Sequence, residues 1–181
     1  KKKSGSHRNK RWVFDINENT PDKHLKNLPS TRIVPIHETL LDLGFIEFIQ
    51  MLKKKDPKRK SVFEELNDSN TQNNVWRNVS RWFNTRYLPS LGVKTDKNNY
   101  HSFRHTVTDH LKQKGIEPHF INELLGHGQK NIDLDRYGNG YNPDIIFNKC
   151  VKRISYQTSH KRWIDFKSLK MDWGKIILDE K

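Results

Sequence analysis

The chain has 181 residues, with 34 Lys and Arg against 21 Asp and Glu, a formal net charge of +13 and a mean hydropathy of -0.96. That length holds one domain with a real core, and the charge points to a polyanionic partner, nucleic acid first. No apolar run approaches the ~20 residues of a spanning helix, the basic start KKKSGSHRNKRW lacks the apolar region of a secretory signal, and the single cysteine, Cys150, excludes an internal disulfide.

Residues 1–10 read as a flexible basic tract with nothing to bury. RWVFDI (11–16) and TRIVPIH (31–37) alternate apolar and polar residues, as half-buried strands do. Together they predict a β-hairpin whose long tip, NENTPDKHLKNLPS, carries Lys23 and Lys26. HETLLDLGFIEFIQMLKKK (37–55) has apolar residues at helical spacing and ends in lysines that suit a helix C-terminus. Residues 56–73 read as a loop apart from Val62 and Phe63. NNVWRNVSRWFNTRYLPSLG (73–92) predicts a helix with Trp76, Val79 and Phe83 as its apolar stripe.

A further helix starts near His101. Phe103, Val107 and Leu111 make its apolar stripe, while His101, Arg104, His105 and Thr108 form a second stripe roughly 110° away. In EPHFINELLGHG (117–128), Ile121, Leu124 and Leu125 bury a face, Gly126 stops the helix and His127 sits on the turn beyond it. Tyr137 follows in DRYGNGY, flanked by glycines. NPDIIFNKCVKRISY (142–156) predicts a helix capped by Asn142, with Pro143 at its first position. Residues 156–181 read as a C-terminal arm. The fold class is mainly α with a small antiparallel β-sheet (α+β), in one unit.

Three strings in fixed order stand out: HSFRHT (101–106), ELLGHG (123–128) and RYGNGY (136–141), supported by STRIVPIH (30–37) and SRWFNTRYLPSLGVK (80–94). This set, from about residue 11 to about 155, resembles the tyrosine recombinases, or phage-type integrases. The resemblance implies their catalytic-domain fold and an enzyme of the bacterial cytoplasm that cuts and rejoins double-stranded DNA at a specific site. It implies no metal, no cofactor and self-association on DNA.

It also implies roles. Tyr137 matches the nucleophile, whose attack on a phosphodiester stores the bond as a 3′-phosphotyrosyl link. Arg104 matches the guanidinium that stabilises charge on the non-bridging oxygens. His101 matches the donor or proton acceptor beside the phosphate, and His127 the imidazole that hydrogen-bonds a phosphate oxygen. Lys26 matches the hairpin lysine that protonates the leaving 5′-oxygen, with Lys23 the second choice. His105 reads as a structural brace.

The family's first motif, G-x-R-x-x-E, has no match. SGSHRNK places Arg8 one residue too far from the glycine and lacks the glutamate. The chain is therefore expected to begin just downstream of that motif, without the N-terminal DNA-binding domain, and to bind DNA with little activity. Two other readings compete. One is a non-catalytic DNA-binding module in which Tyr137 only packs. The other is a metallo-nuclease using His101 and His105 at i, i+4 spacing, disfavoured by Arg104 beside them and by the lack of nearby Cys or paired carboxylates.

Overall fold

Alternation in the first part of the chain becomes a three-stranded antiparallel sheet, in the order β1 (Lys2–Ser4), β2 (Lys10–Ile16), β3 (Arg32–Pro35). The computed structural model describes residues 2–4, 10–19, 25, 30–64, 75–128 and 140–155. Val13 pairs with Pro35 and Phe14 with Val34. Val13 is buried and Phe14 exposed, so a slip of one residue would exchange the two faces. The basic opening tract, read as flexible, contributes β1, which pairs Lys2 with Trp12 and Ser4 with Lys10. An outer strand needs only backbone partners. The hairpin links β2 to β3 as expected; Lys23 and Lys26 lie outside the described residues.

The helix expected over 37–55 is two: α1 (Glu38–Asp42) and α2 (Phe45–Lys55). Gly44 separates them at φ 81, a left-handed conformation that glycine adopts without a Cβ penalty. His37 caps α1 and ties it down. Its Nδ1 accepts from the Thr39 N–H at 3.1 Å while Nε2 meets the Ile154 carbonyl at 3.2 Å. A single tautomer, with the proton on Nε2, satisfies both. The expected 73–92 helix is described from Val75: α3 (Val75–Trp82), a π-helical stretch (Phe83–Tyr87) and α4 (Leu88–Ser90). Then come α5 (Ser102–Gln113), α6 (Pro118–Leu125), α7 (Pro143–Lys149) and a 3₁₀ turn, Val151–Arg153. Asn142 caps α7 as its sequence predicts, accepting from the Asp144 N–H at 2.9 Å.

Two compact units divide the described residues. The first takes those up to Leu43 and from Val107 onward, the second those from Gly44 to Thr106. The boundary between them falls within α5. The first unit's core is Leu111, Phe120, Ile121, Leu124, Ile146, Phe147, Cys150 and Val151. Arg11 locks β2 onto it, pairing with Asp144 and lying 3.7 Å over the Phe147 ring. Of the stripe expected on α5, Leu111 is fully buried and Val107 packs against this core. Phe103 is instead 59% exposed. Its position falls in the second unit, where it meets Phe83 and Tyr100 with ring centroids 5.4 and 6.1 Å away. Among the described residues no helix is long and apolar enough to cross a membrane.

Burial, reinforced by the Glu117 carboxylate, pushes the Cys150 thiol up from 9.0 to about 11. The unfolded thiol loses its proton first, so the unfolded chain binds fewer protons as pH rises between these values, and stability falls there. Urea midpoints taken across that range should therefore drop more steeply for the wild type than for Cys150→Ala.

Candidate active site

The first turn of α5 is held by a reciprocal cap. The Asn99 N–H donates to Ser102 Oγ at 2.9 Å, and Asn99 Oδ1 accepts from the His101 N–H at 2.8 Å. These bonds satisfy backbone donors that a helix start leaves open. Asn84, in the π-helical stretch, adds a tie 16 residues long in sequence: its Oδ1 accepts from the Tyr100 N–H at 2.8 Å. Its amide also donates to Ser80 Oγ at 3.3 Å. Phe83 packs edge-on to Tyr100 with centroids 5.4 Å apart. The wide turn thus sets the residue just before His101, a use in keeping with π-bulges at functional sites.

On this start, the His101 and His105 rings are exposed and meet edge to face with centroids 5.0 Å apart. Arg104 is half-buried between them in sequence. A guanidinium and two imidazoles therefore stand at the positive end of a helix, where an anion is favoured. The His105 ring thus lies against that of His101. Removing the Asn84 tie should loosen this start. Asn84→Ala should lower stability by about 1 kcal/mol, read from the urea midpoint.

His127 is placed by different means. Pro118 opens α6 and Gly126, at φ 68, closes it. The His127 N–H donates to the Asn122 carbonyl at 2.9 Å and the Gly126 N–H to Glu123 at 3.3 Å, the double bond pattern of a glycine-terminated helix. The next open carbonyl, Leu124, accepts from Arg32 Nε at 3.1 Å. His127 is exposed. The described chain leaves this turn at Gly128 and is back against α6 at Gly140, where a Cβ would lie 2.7 Å from Glu123 Oε1. Tyr141 then packs on Phe120 and His119, with ring centroids 4.8 and 5.7 Å away.

The structure thus gathers His101, Arg104 and His105 on one helix start and sets His127 on a rigid turn. Tyr137 and Lys26 lie outside the described residues. Among the described residues, no three His, Cys, Asp or Glu side chains form a group able to hold a metal ion. Sequence reasoning did not single out Asn84 or Arg32. An asparagine inside the aromatic run RWFNTRY and an arginine inside a strand were the available signals.

Comparison with curated proteins and with solved structures gives no match. The model of the phage integrase family matches residues 8–142. That span takes in the hairpin, α1 to α6 and the His127 turn, reaching well past any single motif, and the chain belongs to the phage integrase family, the tyrosine recombinases.

Proposed function

We propose that this chain performs site-specific DNA recombination by strand cleavage and rejoining. Tyr137 Oη gives its proton to His101 and attacks a backbone phosphorus, forming the phosphotyrosyl bond as the bond to the 5′-oxygen breaks. Lys26 gives its proton to that oxygen. Arg104, His101 and His127 stabilise the charge gathering on the non-bridging oxygens. Attack by a free 5′-hydroxyl reverses the step and rejoins the strand. Copies of the chain associate on the DNA to exchange strands.

One observation carries this reading: exposed His101 and half-buried Arg104 stand on a doubly capped helix start, in the H-x-x-R-H order of the family. Rigid placement is what electrostatic stabilisation of a transition state requires. Packing of Tyr141 against Phe120 and His119 also supports Tyr137 as the nucleophile.

The test is covalent trapping on a nicked suicide substrate in the presence of EDTA, with the adduct resolved under denaturing conditions. A slowly formed protein–DNA adduct is expected, because no residue of the chain matches the family's first-motif arginine and the loss of one such donor costs about a hundred- to a thousandfold in rate. DNA binding without an adduct would identify a non-catalytic binding module, and cleavage that EDTA abolishes would favour the metallo-nuclease. Binding itself should depend steeply on salt, given the net charge of +13. With about six phosphates neutralised, affinity should fall roughly a thousandfold between 50 and 200 mM salt. A flat titration would remove the polyanion reading.

A further inference from the structure

Arg32 is the first residue of β3 and pairs with Ile16, the last residue of β2, at the end of the sheet next to the hairpin loop. Its side chain leaves the sheet and reaches α6. Nε donates to the Leu124 carbonyl at 3.1 Å, and Nη1 donates to the Ser30 carbonyl at 2.8 Å. Leu124 is in the last turn of α6, where carbonyls lack helical partners and the helix dipole is negative. One guanidinium therefore joins the returning arm of the hairpin to the helix end that carries His127.

Gly126 makes room for this. A Cβ there would lie 2.5 Å from Arg32 Nη1 and 2.9 Å from Cζ, so any larger residue would push the guanidinium off its carbonyls. The glycine therefore does two things: it takes the left-handed φ of 68 and it admits the arginine. His127 is the next residue, and its own N–H is tied back to Asn122. The turn is thus pinned from inside the helix by Asn122 and from the sheet by Arg32. A lysine could not replace the arginine, because the two carbonyls are met by two separate nitrogens of a planar fork.

We propose that Arg32 is a positioning residue for recombination: it fixes the His127 turn against the base of the hairpin, so that the imidazole is aimed before DNA arrives. The inference rests on the role of His127 proposed above. A displacement of about 1 Å at a catalytic group can cost about a hundredfold in rate, and that is the scale expected here.

The experiment measures single-turnover adduct formation on the suicide substrate at saturating DNA, using the full chain, with DNA affinity measured in parallel. His127→Ala should slow the step by about a hundred- to a thousandfold. Arg32→Ala should slow it about a hundredfold with DNA affinity unchanged. Arg32→Lys should remain slow despite keeping the charge. The double variant should be no slower than His127→Ala alone, because Arg32 acts through that imidazole. Multiplying losses in the double variant would overturn the proposal, as would a wild-type rate for Arg32→Ala. A wild-type rate for His127→Ala would instead sink the role of His127, and the proposal with it. Should Arg32→Ala fail to fold, Arg32→Lys and Gly126→Ala decide the matter: both are expected to be slow, and a wild-type rate in either overturns the assignment.

Discussion

Tyr137→Phe should abolish the covalent adduct on a suicide substrate while leaving DNA affinity at the wild-type value. The substitution removes one oxygen and no charge, so the electrostatic attraction that dominates binding is untouched. The nucleophile, however, is gone, and none of the side chains proposed around the phosphate supplies a substitute. Tyr141→Phe is the matched control. Its ring already packs on Phe120 and His119, and phenylalanine preserves that packing, so trapping should persist. If Tyr141→Phe alone removes the adduct, the nucleophile is Tyr141 and the chemistry must be rebuilt around it.

Arg104→Ala should be nearly as severe. Loss of one preorganised donor from a transition-state cradle slows the chemical step by about a hundred- to a thousandfold. A charged bidentate donor belongs at the upper end of that range. Arg104→Lys should recover little, because an ammonium cannot present the same planar pair of donors. The decisive comparison is adduct formation against DNA affinity, measured on the same variants. A rate that falls only in proportion to affinity would show that Arg104 holds the DNA and takes no part in the chemistry. Circular dichroism separates either outcome from unfolding, since Arg104 is half-buried in a helix.

Much of the candidate site's local geometry was legible because short-range patterns encode it. The H-x-x-R-H spacing puts His101, Arg104 and His105 on one side of α5. Asn142 and Pro143 mark the start of α7, and Gly126 the end of α6. Each of these depends on neighbours within a turn or two, where backbone geometry leaves few choices. Gly44 was available in the same way, and its left-handed φ accounts for the break between α1 and α2. Continuous apolar spacing across HETLLDLGFIEFIQ masked it.

What the sequence by itself determined was therefore the kind of most elements, the Asn142 and Gly126 caps, the family motifs and the net positive charge. Only the tertiary structure decided which distant groups meet. Arg32 finds the Leu124 carbonyl 92 residues away, and Asn84 finds the Tyr100 N–H. Phe103, on the same stripe as Leu111, lies in a different unit and is exposed. The physical reason is that periodicity tells which side of an element is apolar and where its polar groups stand. It does not say which partner will satisfy them, because that choice depends on how separate elements pack once the chain has folded.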